Sequence, residues 1–328
     1  MKFHTNQIFN AHISFEERTR QVFDYQFEYC KPYRVFCESL GVTPDSLSSV
    51  SDIPFYPIDG FKRTTLRTSL AESVPLIFKS SGTSGMERSV HQVADESVYR
   101  RSILEYFSEL YHLKESVILA YTPGYAENPH SSLIHMMEVL IEASGDSRSA
   151  FLPLNQKLNQ AQIDDCDDKR IILFGAAFGL LDLTEISEVR LPESAVVIET
   201  GGMKTHRREI PRVELHERLS EGFCLSKDNI HSEYGMAELL SQSYMTDGER
   251  FVPPHWMRVF AIDPQNPMQR LPSGETGQLA IIDLANVFSC SFIFTEDEGR
   301  VEADGSFTVN GRISKATMRG CNFLIDRD

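Results

Sequence analysis

Apolar runs alternate with stretches of helical spacing along the middle of the chain. Four short runs predict buried strands, namely VPLIF at 74–78, SVILAY at 116–121, RIILFGAAF at 170–178 and AVVIET at 195–200. Between and after them, the spacing predicts helices over 95–113, 131–143 and 208–223. Strands that alternate with helices indicate an α/β fold with a mainly parallel sheet flanked by helices.

The pattern changes toward both ends of the chain. Residues 15–50 have helical spacing interrupted by Pro32, and the two prolines of DIPFYPIDGFK predict an extended connection. After Phe251, shorter runs and a turn at Asp304–Gly305 predict antiparallel hairpins. We therefore expect an α/β core with an N-terminal helical region over 1–250. A smaller β-rich subdomain with a C-terminal tail should follow over 251–328.

Composition narrows the class of protein. Of the 328 residues, 41% are hydrophobic and 24% charged, as in folded globular enzymes rather than disordered chains. The net charge of -15 disfavours binding to nucleic acid or anionic lipid. No apolar run is long enough for a signal core or a transmembrane segment, and the six cysteines lack zinc-site spacing. We expect a cytoplasmic protein with reduced thiols.

The segment KSSGTSGMERSV (79–90) directly follows the first apolar run. Its glycines leave backbone N–H groups uncovered, and Ser80, Ser81 and Thr83 add hydroxyl donors, so the segment could hold phosphate. It lacks the lysine of a Walker loop, and a plain surface turn has the same composition. Its position after a buried strand favours the phosphate interpretation, because α/β proteins bind ligands at the carboxyl ends of strands.

Two later segments carry similar signals. Gly201 and Gly202 of ETGGMK follow an apolar strand, where bare backbone could lie against a flat base. In HSEYGMAELLSQSY, a turn at Tyr234–Gly235 would present an aromatic ring, and Glu238 a carboxylate for a divalent ion. Taken singly, a core tyrosine and a glutamate in the first turn of a helix explain the same letters.

The order of these segments, followed by TEDEGR and GRISK, resembles the adenylate-forming enzymes. IPFYPIDGFK, KSSGTSG, ETGGMK, SEYGMAELLSQSY, PPHWMRV and RGCNF together look like the acyl-protein synthetase family of the bacterial fatty-acid reductase. The resemblance runs from about residue 50 to the end. It implies the large-domain fold of adenylate-forming enzymes without the separate C-terminal domain of larger relatives.

The resemblance also implies roles for individual residues. Glu238 would hold Mg²⁺, Asp297 the ribose hydroxyls, and Arg312 the nucleotide. The residues implied to contact the ATP phosphates are Ser80, Ser81, Gly82, Thr83, Ser84 and Gly85. Those implied to lie at the adenine are Gly201, Gly202, Tyr234 and Gly235.

Cys321 of RGCNF would accept the acyl group. Its position near the end of the chain suits a residue that visits two sites. Most free cysteines are small buried hydrophobic residues, and without the resemblance Cys321 would not stand out from Cys224 or Cys290.

The chain departs from the family pattern in three ways. Arg88 stands near the place of a Pro-Lys pair, TED replaces TGD around Asp297, and the C-terminal domain with its catalytic lysine is absent. The cation for the leaving pyrophosphate could then be Lys62, Lys204 or Arg88. His231 could orient the substrate carboxylate, or it could be a structural histidine.

The resemblance implies that ATP and Mg²⁺ activate a long-chain fatty acid, and that the acyl group passes through Cys321 to an acyl-reductase partner. One alternative is transfer to coenzyme A or of AMP, as in relatives of phenylacetate-CoA ligase. A second is a non-catalytic nucleotide-binding protein. A third is a serine hydrolase using Ser81, although the sequence lacks a GxSxG elbow.

Overall fold

A computed structural model describes residues 3–69, 74–80, 87–122, 129–153, 156–201 and 210–313. The α-helices are α1 (Phe15–Tyr29), α2 (Lys31–Ser39), α3 (Gly60–Arg63), α4 (Glu96–Tyr111), α5 (Ser132–Ser144), α6 (Gln160–Asp164), α7 (Ala177–Ile186) and α8 (Arg212–Phe223). The strands up to residue 245 are β1 (Tyr56–Pro57), β2 (Leu76–Lys79), β3 (Val90–Val93), β4 (Ser116–Tyr121), β5 (Ala150–Phe151), β6 (Arg170–Ala176), β7 (Val196–Thr200), β8 (Ile230–Tyr234) and β9 (Ser243–Met245). The later strands are β10 (Met257–Asp263), β11 (Asn266–Arg270), β12 (Thr276–Asp283), β13 (Phe292–Val301) and β14 (Phe307–Arg312).

One compact unit, Arg100–Met236 with Gln242–Phe251, is built on a sheet in the order β5-β4-β6-β7-β8-β9. All neighbours in this sheet are parallel except β8 and β9. The predicted strands at 116–121, 170–178 and 195–200 are confirmed as β4, β6 and β7. They read as continuous apolar runs because buried parallel strands are covered on both faces. Side chains of α7 and α8, such as Leu180 and Leu219, are buried in the same core as β6.

The other unit takes in Met1–Tyr99, Ala237–Ser241 and Val252–Asp328, as far as these are described. Its main sheet has the order β1-β13-β12-β10-β11, with β14 paired to β13. Every pair is antiparallel except β1 with β13, so the predicted change of strand style after Phe251 is confirmed. The predicted turn at Asp304–Gly305 is also found, with Gly305 at φ +87°.

The predicted strand at 74–78 exists, but not in the parallel sheet. It forms β2, which pairs only with β3 in a two-stranded antiparallel ribbon. The predicted phosphate-binding segment Ser80 to Gly85 begins directly after β2, and its residues 81–85 lie outside the described residues. The partner strand β3 was not predicted from the sequence, so the hydrophobic pattern alone did not reveal how the strand at 74–78 pairs.

The N-terminal helices belong to the unit with the antiparallel sheet. Pro32 stands at the start of α2, as predicted from its break in the helical spacing. The side chain of Gln26 on α1 donates to the backbone oxygens of Asn286 and Val287, at 2.9 and 3.0 Å. Because of these contacts and the pairing of β1 with β13, residues 1–99 belong to the same unit as the β-rich part. This division of the chain differs from the predicted boundary at residue 250.

Across the part of the chain that is described, no helix combines the length and the apolar character needed to cross a bilayer.

Candidate active site

Glu238 lies in a turn that follows β8, not at the start of a helix. Its side chain is buried, with 5% of the residue exposed, and it accepts a hydrogen bond from Ser89. Burial raises the pKa of Glu238, while the bond from Ser89 and the charges of Arg312 and Lys62 oppose that rise. The hydrogen bond and the two positive charges thus favour the ionised form of Glu238, which is the form that binds a metal ion.

Lys62 is the first of these cations and lies on the short helix α3. Its Nζ is 2.5 Å from Oδ1 of Asp59. The bond to Asp59, followed by the charges of Glu296 and Glu238, raises the pKa of Lys62. The ammonium group is therefore charged at neutral pH, and about a third of the side chain is exposed.

Arg312 is the second cation, at the end of β14. It is the register partner of Asp297 on β13, and its Nε lies 3.6 Å from Oδ1 of that aspartate. Its Nη1 lies 3.8 Å from Oε2 of Glu296. The antiparallel pairing thus brings together two residues, Asp297 and Arg312, to which the family resemblance gave roles at the nucleotide. We call Lys62, Ser89, Glu238, Asp297 and Arg312 the Glu238 cluster.

The ends of the β2–β3 ribbon carry Ser80 and Ser89. The backbone N–H of Ser80 donates to the carbonyl of Ser89 at 3.2 Å, and the N–H of Ser89 donates to the hydroxyl of Ser80 at 3.0 Å. These two bonds close the ribbon at the point where the predicted phosphate-binding segment begins. Arg88 is exposed next to this closure. The predicted site residues outside the described residues are Ser81, Gly82, Thr83, Ser84, Gly85, Gly202, Lys204 and Cys321.

The residues predicted for adenine lie in the unit with the parallel sheet. Gly201 directly follows β7 at φ +78°, a conformation that favours glycine. Tyr234 ends β8, and Thr200 is the register partner of Glu233, so Gly201 and Tyr234 meet at the same edge of the sheet. Tyr234 is 9% exposed, and its ring packs on that of Phe251 with 5.8 Å between the ring centres.

Two buried glutamates, in the strands β7 and β8 that lead to these residues, were not predicted from the sequence. Glu233 accepts a hydrogen bond from Thr200, and Glu199 accepts one from Ser232. Burial raises the pKa of Glu233 to about 7, and the charge of Glu199 adds to this rise. His216 also reaches this network, with Nε2 2.9 Å from the hydroxyl of Ser232. The sequence did carry a signal for these two glutamates, because β7 and β8 each contain an acidic residue among positions that are otherwise all buried.

His231 fits the structural alternative. Its Nδ1 is 3.0 Å from the hydroxyl of Tyr111, and its Nε2 is 3.1 Å from the carbonyl oxygen of Asp228. Both ring nitrogens are therefore engaged within the protein, and burial lowers the pKa of the imidazole. A histidine tied at both nitrogens is poorly placed to orient a substrate carboxylate.

The residues present fit Mg²⁺ bound together with a phosphate substrate. Mg²⁺ usually takes one or two carboxylates, and waters and substrate phosphates complete its shell. Glu238 supplies one buried carboxylate of this kind. In the described ranges, no group of three or more His, Cys, Asp or Glu side chains could hold a metal ion by itself.

Comparison with known proteins agrees with this fold. The chain is similar to the long-chain-fatty-acid–luciferin-component ligase of Vibrio harveyi, with 27% identity over 90% of this chain and 84% of that protein. A solved 2-hydroxyisobutyryl-CoA ligase in complex with 2-HIB-AMP and CoA gives a TM-score of 0.64 at 14% identity, over 96% of this chain and 74% of that one. A long-chain-fatty-acid-CoA ligase from Archaeoglobus fulgidus gives 0.52 at 15% identity, over 75% of this chain. This chain covers only 52% of that ligase, so it spans about half to three quarters of these solved structures.

The fold is therefore that of the adenylate-forming ligases. The family model of acyl-protein synthetase, LuxE, matches residues 6–117 and 130–328. The chain belongs to that family and is a ligase.

Proposed function

We propose that the protein activates a long-chain fatty acid with ATP and then carries the acyl group on Cys321. In the first step, a carboxylate oxygen of the fatty acid attacks the α-phosphorus of ATP, and the bond to pyrophosphate breaks. The product is an acyl-adenylate. In the second step, the thiolate of Cys321 attacks the acyl carbon and AMP leaves, so that a thioester forms on the protein. The acyl group then passes to a reductase-type partner.

The observation that carries this proposal is the Glu238 cluster. A buried carboxylate beside Lys62 and Arg312 suits a triphosphate with a divalent ion, because each charge has an opposite charge to meet. Mg²⁺ held by Glu238 would neutralise charge on the phosphate oxygens. Lys62 would stabilise the leaving pyrophosphate, and Asp297 with Arg312 would bind the nucleotide.

Other residues complete the proposed assignment. Ser80 to Gly85 would donate to the phosphates, with Arg88 beside them, while Gly201, Gly202, Tyr234 and Gly235 would contact the adenine. Membership of the acyl-protein synthetase family and the name of the Vibrio harveyi relative support the fatty acid as substrate. The reductase partner and the cytoplasmic location stay predictions.

The test is incubation with ATP, Mg²⁺ and a radiolabelled long-chain fatty acid, followed by denaturing gel electrophoresis. Label should stay on the protein, be released by hydroxylamine, and disappear in Cys321→Ser. Cys224→Ser is the matched control, because Cys224 is exposed whereas the other described cysteines are buried. Label that persists in Cys321→Ser and disappears in Cys224→Ser would contradict the assignment of the acceptor.

The same assay separates the alternatives. If coenzyme A is the acceptor, label should move from an adenylate to acyl-CoA without a protein-bound stage. Fatty-acid-dependent exchange of pyrophosphate into ATP measures the first step by itself. Absence of this exchange across acids of many chain lengths would favour a non-catalytic nucleotide-binding protein.

A further inference from the structure

The segment that carries Glu238 is held from its C-terminal side by the last residue of β12 and by the turn that follows it. The carboxylate of Asp283 accepts bonds from the backbone N–H groups of Leu240 and Ser241, at 2.8 and 3.0 Å, and from the Ser241 hydroxyl at 2.6 Å. Asn286 donates from its side-chain amide to the carbonyl of Glu238 at 2.9 Å. The backbone after Glu238 is thus fixed by fully buried groups.

His91 on β3 holds the same segment from its N-terminal side. Its Nδ1 lies 2.8 Å from the carbonyl oxygen of Ala237, the residue directly before Glu238. A carbonyl only accepts, so Nδ1 carries the hydrogen. The ring also packs edge-on against Phe61, at 5.4 Å between ring centres, next to Lys62 on α3.

Two contacts to this segment thus come from one short strand region. Ser89 and His91 are two residues apart, so their side chains lie on the same face of the extended chain. Ser89 bonds the Glu238 carboxyl group, while His91 bonds the backbone one residue earlier. Two bonds of this kind fix both the position and the direction of a carboxylate.

The choice of residue at position 91 supports a role for its hydrogen bond. His91 is completely buried, and within the described residues its Nε2 has no hydrogen-bond partner. A buried unpaired polar atom destabilises the folded state, and an apolar side chain of similar size would avoid that cost. The bond from Nδ1 to Ala237 is what an apolar residue could not supply.

We propose that His91 is a positioning residue for the Mg²⁺–ATP complex, acting through Ala237 to orient Glu238. The proposal rests on the proposed function, because it takes Glu238 as the Mg²⁺ ligand. Partners of metal ligands typically change metal affinity 10–100-fold when they are replaced. His91 would act in that way on the Mg²⁺ part of nucleotide binding and would leave contacts to the nucleotide itself unchanged.

The test is calorimetric titration of ATP without fatty acid, so that no turnover occurs, in Mg²⁺ and in EDTA. His91→Phe and His91→Leu remove the donor and keep the volume apolar, and two variants are used so that a folding defect in one does not remove the test. Both should weaken ATP binding about tenfold or more in Mg²⁺ and leave it unchanged in EDTA. His91→Asn, whose amide can donate from a similar position, should recover most of the affinity.

A double-mutant cycle shows whether His91 acts through Glu238. In a Glu238→Gln background, His91→Phe should change ATP affinity less than twofold. Equal weakening in Mg²⁺ and EDTA, or full additivity with Glu238→Gln, would overturn the proposal and leave His91 a merely structural residue. If Glu238→Gln itself keeps the normal Mg²⁺ dependence, the assignment of Glu238 in the proposed function fails, and the inference fails with it.

Discussion

The hydroxyl of Thr200 donates a hydrogen bond to the carboxyl group of Glu233 across the paired strands β7 and β8. Glu233 is buried, and a second buried carboxylate, Glu199, lies on the neighbouring strand. Burial raises the pKa of Glu233 from 4.5 to about 7. The folded protein therefore keeps a proton on Glu233 over a pH range in which the unfolded chain has lost it.

This difference predicts how stability depends on pH. Between about pH 4.5 and 7 the folded state binds more protons at Glu233 than the unfolded state, so the free energy of unfolding falls as pH rises. Glu233→Gln removes this proton uptake. Relative to the wild type, the variant should gain stability between pH 5 and 8, by at most about 3 kcal/mol at 1.36 kcal/mol per pH unit.

Chemical denaturation at pH 5, 6.5 and 8 measures this gain. Glu188→Gln is the control, because Glu188 is exposed and its substitution should shift all three values equally. A constant difference between Glu233→Gln and the wild type across the three pH values would contradict the raised pKa.

Gly235 is constrained by the same carboxyl group. A Cβ built on Gly235 would overlap Oε1 of Glu233, and it would also touch Gln242 at 3.5 Å. The backbone of Gly235 is not among those with positive φ, so the cost of a side chain there is steric. Gly235→Ala should lower the free energy of unfolding by about 1–3 kcal/mol, as overpacking usually does.

Shortening the opposing side chain should relieve this overlap. In a Glu233→Ser background, Gly235→Ala should cost clearly less than in the wild type, which thermal unfolding of the four proteins can measure. Equal costs in both backgrounds would show that Glu233 is not what excludes a side chain at position 235.

The sequence predicted those strands whose signal is local. β4, β6 and β7 are continuous buried apolar runs, and their bounds are close to the predicted ones. The pairing of β1 with β13 joins residues more than 200 positions apart, and two residues of Tyr-Pro carry no sign of that partner. The grouping of residues 1–99 with the β-rich part depends on such distant contacts, so the hydrophobic pattern did not reveal it.

The site followed the same rule. Glu238 and Arg312 belong to recognisable segments, and the structure brings them into one cluster. His91 and Asp283 had no such segment. A single polar residue on a buried strand face looks like ordinary core in a sequence, and only the contacts to the Glu238 segment reveal its role.

Lys62 should matter for the first chemical step. Its ammonium group lies in the Glu238 cluster and is charged at neutral pH. Lys62→Met should slow fatty-acid-dependent pyrophosphate exchange on the order of a hundredfold, the usual effect of losing one charge-stabilising donor. Lys62→Arg should keep part of the rate, since it restores the charge.

Arg63→Met is the matched control, because Arg63 is the next residue of α3 and is also exposed. It should leave the exchange rate within about twofold, far from the change expected for loss of a stabilising donor. A similar loss in both variants would point to the helix as a whole, and an unchanged rate in Lys62→Met would remove Lys62 from the proposed machinery.

Asp283 should support both the fold and the position of Glu238. Its carboxylate is fully buried and accepts hydrogen bonds from Leu240, Ser241 and Ala285. In asparagine an amide nitrogen replaces one of the two oxygens, and this nitrogen cannot accept a hydrogen bond. Asp283→Asn should therefore lower the free energy of unfolding by about 2 kcal/mol, because buried N–H donors lose an acceptor. Asp45→Asn, at an exposed position, should change it by less than about 0.5 kcal/mol.

The effect on the site separates Asp283 from a remote core residue. Because it fixes the backbone just after Glu238, Asp283→Asn should also weaken ATP binding in Mg²⁺ more than in EDTA, measured well below the melting temperature of the variant. Lower stability with an unchanged ratio of the two affinities would show that the Glu238 segment keeps its position without this carboxylate.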